Sequence, residues 1–354
     1  RDLVRSRGLG DVYKRQHIHM NRILHYTTVS LCFQAKLYLF LAAAPLTVLA
    51  VKRHGKESFM KPCVFTGSAV AIVTPFCGDG VDLEAFDRLI ERQIQGGTDA
   101  IVVCGTTGEA ATLSYDERMA LIERCVRTVD RRVPVIAGSG TNSTASSIAL
   151  SRAAQSAGVD ALLTVTPYYN KASQSGLVQH FSAIADAVDI PVILYNVPSR
   201  TGVGCTAQTY QALAKHPNIA GVKEASDDFD LIQDTLNLCP PDFTVWSGND
   251  GSTAAIMALG GKGVISVAAN VVPREMHELT QLCLKNRFLE AGALQLKLHE
   301  LIRALFCEVN PIPVKAAMEL LGLCSGELRL PLCRMSERHL EQLSHALEPF
   351  RPAV

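Results

Sequence analysis

Aromatic residues are scarce, at 6% of the chain with a single tryptophan, and net charge is absent, with 34 Lys and Arg against 34 Asp and Glu. A balanced chain carries no electrostatic footprint for nucleic acid or for an acidic membrane surface. None of the 11 cysteines stands in a C-x-x-C pair, which argues against a disulfide framework or a zinc site. Cys104, Cys125, Cys239 and Cys307 lie in apolar stretches and read as reduced, buried thiols of a cytoplasmic protein. His180 and His216 sit on helical stretches without ligand spacing and are expected at the surface, so no metal site is predicted. The longest apolar run covers residues 37–51, between Lys36 and Lys52. It is shorter than the about twenty residues that a membrane span needs.

What is present fits an ordinary globular enzyme: 354 residues, 48% hydrophobic, 25 Gly and 16 Pro. That length holds one large α/β domain and a small appendage. Residues 1–59 differ in pattern from the rest of the chain. Arg1 to Gln16 is basic and aperiodic, and the run over 37–51 is nearer the core of a signal peptide than a span. Residues 1–59 read as a non-native leader from spurious upstream translation, with a signal or anchor and a transit segment as the alternatives. Met60 is the expected start of the patterned chain.

From Phe65 the chain alternates short apolar runs with amphipathic stretches. Strands are predicted over 68–74, 100–104, 134–138, 161–166, 191–196, 219–223, 244–247 and 263–268. Their continuous apolar character suits parallel strands buried on both faces. Helices are predicted over 83–95, 115–129, 144–157, 176–188, 206–215, 229–236 and 252–259. Eight strands in βα order predict a (β/α)8 TIM barrel, whose active site lies at the C-terminal strand ends; a doubly wound sheet is the alternative. The barrel is placed at 60–286 and a C-terminal helical appendage at 287–354, with breaks at Asn310-Pro-Ile-Pro313 and Leu330-Pro331.

Lys223 is the residue that stands out. It interrupts the apolar strand Ile219-Ala-Gly-Val-Lys-Glu-Ala-Ser226, where burial favours the neutral form of an amine. A neutral amine can attack a carbonyl carbon. An edge lysine whose stem packs while its head reaches water is the bland alternative. Other unusual residues fall at neighbouring strand ends. The second strand ends in Gly105-Thr-Thr-Gly-Glu109, and the fifth in Leu194-Tyr-Asn-Val-Pro-Ser-Arg-Thr-Gly202. A tight turn with two hydroxyls can hold a carboxylate or pass a proton. Tyr195 and Arg200 thus lie beside and above Lys223. Singly, these are compatible with a plain turn, a core tyrosine and a solvated loop charge; their convergence on one barrel end is what argues for chemistry. The turn Gly260-Gly-Lys-Gly263 lacks P-loop spacing and is not read as a phosphate site.

These residues carry a resemblance. Phe65-Thr-Gly-Ser, Gly105-Thr-Thr-Gly-Glu, Thr164-Val-Thr-Pro-Tyr-Tyr-Asn170, Tyr195-Asn-Val-Pro-Ser-Arg-Thr-Gly, Val222-Lys-Glu-Ala, Gly260-Gly-Lys-Gly-Val-Ile-Ser and Asn310-Pro-Ile-Pro-Val-Lys315 recur at nearly every strand end. From about Met60 onward the chain resembles the 4-hydroxy-tetrahydrodipicolinate synthase family of pyruvate-dependent class I aldolases. The resemblance implies condensation of pyruvate with L-aspartate 4-semialdehyde in the diaminopimelate route to lysine. It implies a Schiff base between Lys223 and pyruvate, with no cofactor beyond that covalent imine. Tyr195, Thr106 and Tyr169 would form a proton relay, Tyr169 reaching into a neighbouring subunit. Thr107 would hold the pyruvate carboxylate, with Gly248 and Ile265 lining the same pocket. Arg200 would face the carboxylate of the second substrate. A homotetramer built as a dimer of dimers is implied, the dimer being the alternative. The rival within the superfamily is cleavage of N-acetylneuraminate or a 2-keto-3-deoxy sugar acid; Arg200 and the Thr106–Thr107 pair favour the synthase.

Lysine-inhibited members of the family carry histidine and glutamate at an effector site between subunits. Here Tyr115, Arg118 and Ser146 fall at those positions and Ala110 replaces a serine, while Asn142 and Tyr168 are kept. The resemblance therefore implies weak feedback inhibition by lysine.

Overall fold

The computed structural model describes residues 61–351; the leader readings for 1–59 lie outside them. Eight parallel strands close into a barrel: β1 Gly67–Ala71, β2 Ala100–Val103, β3 Val135–Gly138, β4 Ala161–Val165, β5 Val192–Asn196, β6 Ile219–Glu224, β7 Thr244–Ser247 and β8 Gly263–Ser266. Each strand pairs with its sequence neighbour, and β1 closes the ring on β8 through Gly67↔Gly263 to Val70↔Ser266. A Cβ on Gly263 would lie 2.0 Å from the Gly67 carbonyl oxygen, so the seam requires glycine there.

Between the strands run α1 Leu83–Gln95, α2 Tyr115–Val129, α3 Thr144–Ser156, α4 Gln174–Asp186, α5 Ala207–Leu213, α6 Phe229–Leu238 and α7 Thr253–Ala258. After β8 come α8 Pro273–Leu284, α9 Phe288–Leu305, α10 Ile312–Leu320 and α11 Glu337–Leu347. Local signals set the boundaries. Ser114 and Glu117 form a reciprocal capping box at the start of α2, and Asp82 caps α1 through the Ala85 amide. The fourth helix starts two residues before the sequence reading because Ser173 Oγ accepts from the Gly176 amide and nucleates the turn earlier. A two-stranded hairpin, Phe76–Cys77 with Gly80–Val81, has no counterpart in the sequence pattern; two residues a side give no periodicity to read.

The core has two layers. Inside the barrel, Ala69, Val102, Ile136, Leu163, Ile193 and Trp246 interdigitate. Phe65 stacks on Trp246 at 5.1 Å between ring centroids, and the indole N–H donates to the Phe65 carbonyl. The outer layer joins strands to helices and continues into Ala291, Leu298 and Leu301 of α9 and Val314 and Ala317 of α10. The C-terminal helices therefore share the barrel's outer core.

Two expectations are corrected. His180 is buried, not at the surface, because it falls on the inward stripe of α4 with Leu177, Phe181 and Ile184; its Nδ1 lies 2.9 Å from Thr144 Oγ1. His216 is half-buried and pairs with Asp186. Cys104 and Cys125 are buried thiols, whereas Cys239 and Cys307 are only half-buried. Among the described residues, no helix is long and apolar enough to cross a membrane, and no group of three or more His, Cys, Asp or Glu is placed to hold a metal.

Candidate active site

The strand register places the central residues side by side. Tyr195 on β5 is the direct partner of Lys223 on β6, which in turn is the partner of Trp246 on β7. Lys223 Nζ stands over the Tyr195 ring, 4.4 Å from its centroid, within the range of cation–π attraction when the amine is protonated. Both side chains are buried. Among the described residues Lys223 forms no ion pair. Strand alternation sends its neighbour Glu224 to the opposite face, where the carboxylate accepts from Asn196 Nδ2 at 2.9 Å and from the Tyr210 hydroxyl at 2.8 Å. Burial raises the Glu224 pKa against the pull of these donors.

Lys223 lies in a cavity of about 170 Å³ at the C-terminal ends of the strands, with Tyr195, Thr106, Thr107, Arg200 and Gly248 in its wall. A void of that size is below the about 300–1,000 Å³ of drug-sized sites and suits a small acid. Gly248 is required by a close approach: its amide donates to the Glu224 carbonyl at 2.6 Å, and a Cβ would meet Ala225 Cβ at 2.5 Å. Ile265 is wholly buried in the inner layer of the barrel and is not among the residues that line the cavity.

The Thr106–Thr107 turn is bent at both ends by non-glycine residues in the left-handed region, Cys104 at φ 54° and Glu109 at φ 53°. Gly108 N–H donates to the Gly105 carbonyl, and Glu109 N–H to that of Thr106. Thr107 is buried with its Oγ1 accepting from Asn310 Nδ2 at 3.0 Å, while Thr106 is half-buried. Arg200 sits on a single helical turn, Pro198–Thr201, opened by Pro198 and ended by Gly202 at φ 71°. Its Nη2 donates to the Asn310 carbonyl at 3.2 Å, leaving most of the exposed guanidinium available to the cavity mouth.

Tyr169 stands apart. It follows β4, is 88% exposed and takes φ 72°; its amide donates to the Thr201 carbonyl. The structure thus brings Lys223, Tyr195, Thr106, Thr107, Arg200 and Gly248 together, and leaves Tyr169 on the surface of the same chain.

Asn310 opens the Asn310-Pro-Ile-Pro313 break, and sequence reasoning assigns it no role. It lines the cavity, binds Thr107 and Arg200, and keeps its buried Oδ1 without a partner. A polar residue beside turn-forming prolines carries no local signal of this, since its partner Thr107 is 203 positions away in sequence.

A second cavity of about 380 Å³ adjoins the first and shares Thr106, Tyr195, Arg200 and Asn310 with it. Its far wall includes Ala110, Arg118 and Tyr168. Arg118 is tied to the Gly138 and Ala110 carbonyls at 3.0 and 2.7 Å. Ser146 and Tyr115 are exposed outside it.

Residues 64–349 match the model of the dihydrodipicolinate synthetase family. The chain is 48% identical over 291 residues to the 4-hydroxy-tetrahydrodipicolinate synthase of Acetivibrio thermocellus, covering 82% of this chain and 99% of that one. It is 51% identical over 288 residues to that of Thermoanaerobacter sp. (strain X514), covering 81% and 97%. The crystal structure of the chloride-inhibited dihydrodipicolinate synthase of Acinetobacter baumannii complexed with pyruvate superposes with a TM-score of 0.79 at 45% identity, over 80% of this chain and 98% of that one. With a closed (β/α)8 barrel and this match across it, the chain belongs to the dihydrodipicolinate synthetase family.

Proposed function

We propose that this enzyme condenses pyruvate with L-aspartate 4-semialdehyde to 4-hydroxy-tetrahydrodipicolinate, working as a Schiff-base lyase of the class I aldolase type. The observation that carries the reading is the pairing of Lys223 and Tyr195 in one small cavity under Arg200. The Lys223 amine adds to C2 of pyruvate, and loss of water leaves the imine. Removal of a proton from C3 gives the enamine, whose carbon attacks the aldehyde carbon of the second substrate. The substrate amine then attacks C2 and displaces Lys223 as the ring closes.

Each step moves a proton, which suits the Tyr195 phenol and the Thr106 hydroxyl as acid–base groups. Thr107 holds the pyruvate carboxylate, Gly248 lines the same pocket where a side chain would not fit, and Ile265 supports that wall from within the barrel. Arg200 receives the carboxylate of the semialdehyde by a bidentate pair. The unpartnered Asn310 Oδ1 is suited to accept from its ammonium group. The exposure of Tyr169 supports its service in the site of a neighbouring subunit, within a homotetramer built as a dimer of dimers. The imine on Lys223 is the covalent group the reaction requires, and the protein works in the cytoplasm without a resident cofactor. Assay of the purified chain with pyruvate and the semialdehyde, beside N-acetylneuraminate alone, tests the reading. Turnover of the first pair is expected; efficient cleavage of the sugar acid instead contradicts it.

A further inference from the structure

The turn that carries Thr106 and Thr107 is held from outside the barrel. Lys315 on α10 reaches Glu109 at the end of that turn, Nζ to Oε1 2.8 Å, and the two side chains are 0% and 1% exposed. The other carboxylate oxygen accepts from the Arg329 backbone amide at 3.1 Å. The Lys315 ammonium also lies over the Phe76 ring, 4.2 Å from its centroid. Asn310, just before α10, bonds Thr107 in the same turn. Glu109 itself occupies a left-handed conformation that non-glycine side chains resist, so the turn is one that its surroundings must impose. Neither Lys315 nor Glu109 lines the cavity around Lys223, although Glu109 borders the adjoining one.

We propose that the buried Lys315–Glu109 pair is a positioning device: it locks the Gly105–Glu109 turn so that the Thr106 and Thr107 hydroxyls face Lys223 in advance of substrate. Removing either partner of so buried a pair leaves an uncompensated charge, which is strongly destabilising. Losing Lys315 draws Glu109 toward water and opens the turn, and losing the Glu109 charge strands the ammonium in the same way. Burial already depresses the Lys315 pKa, and Glu109 restores part of it. The pair thus makes the C-terminal helices part of the pyruvate site without touching substrate.

This inference rests on the proposed imine chemistry, and the test separates the two. The full chain is incubated with graded pyruvate, reduced with borohydride, and the adduct on the Lys223 peptide is quantified by mass spectrometry. Lys315→Met and the isosteric Glu109→Gln are each expected to raise half-saturating pyruvate by about tenfold or more while still forming the adduct at saturation. The double variant is expected to be no worse than the worse single one, because the two groups act as a unit. Leu298→Ala, in the α9 core, lowers the melting temperature but leaves half-saturation in place; it reports what mere destabilisation does. If Lys315→Met does not fold, Glu109→Gln decides alone. A folded Glu109→Gln protein within about twofold of the parent, or an equal shift in Leu298→Ala, overturns the inference. Absence of any adduct in the parent contradicts the functional reading instead.

Discussion

Tyr195 and Lys223 are register partners on adjacent parallel strands, and the amine stands 4.4 Å from the centre of the phenol ring. The phenol and the amine thus share one wall of the cavity, as the proposed proton transfer needs. Tyr195→Phe keeps the ring and removes the proton donor. It is expected to lower kcat by about 10²–10⁴-fold, with little change in the melting temperature. Steady-state kinetics check this; a loss below about tenfold would remove Tyr195 from the proton path.

Arg200 is anchored by one hydrogen bond to the Asn310 carbonyl and presents the rest of its guanidinium to the cavity mouth. Arg200→Ala removes a charge-assisted pair, which contributes about 1.5–3 kcal/mol. KM for the semialdehyde should rise by about 10–100-fold, while pyruvate adduct formation stays near that of the parent. Equal damage to both steps would place Arg200 on pyruvate or in the fold.

Much of this was legible in the sequence because it is local. Strands buried on both faces left unbroken apolar runs, and the amphipathic stretches between them marked the helices. Lys223 was visible as a charge inside such a run. What was hidden depends on contacts across the chain: Glu109 meets Lys315 over 206 positions and Thr107 meets Asn310 over 203. His180 misled because a polar residue on an inward stripe looks like a surface residue until its Thr144 partner is seen.

The Arg329 guanidinium, through its hydrogen bonds to Glu117, pushes that carboxyl down to about 2 from its ordinary value of 4.5. A carboxyl whose folded pKa is depressed stabilises the protein above its unfolded pKa and loses that contribution as pH falls through the folded one. Glu117→Gln should therefore cost about 1–3 kcal/mol at neutral pH, discounted for partial exposure. The difference from the parent should shrink between about pH 4.5 and pH 2. Urea melts across that range check the sign; a gap that widens toward acid contradicts the assignment.

At the effector site that the resemblance implies, Arg118 places a cation beside Ala110 and exposed Ser146 supplies no charge. Like charges a few ångströms apart cost on the order of 1 kcal/mol even when solvated, and the missing anionic contact adds about 1.5–3 kcal/mol. Inhibition by L-lysine should therefore be weak, with half-inhibition well above about a millimolar. A titration of the initial rate that reaches half-inhibition at lower concentration would show that another group compensates.

The proposed reaction turns on the Lys223 amine as its nucleophile. Borohydride reduction in the presence of pyruvate, followed by peptide mapping, tests it most directly. One adduct is expected, on the peptide containing Lys223, and it is abolished in Lys223→Ala. An adduct on Lys171 or Lys262, or one that survives Lys223→Ala, would contradict it.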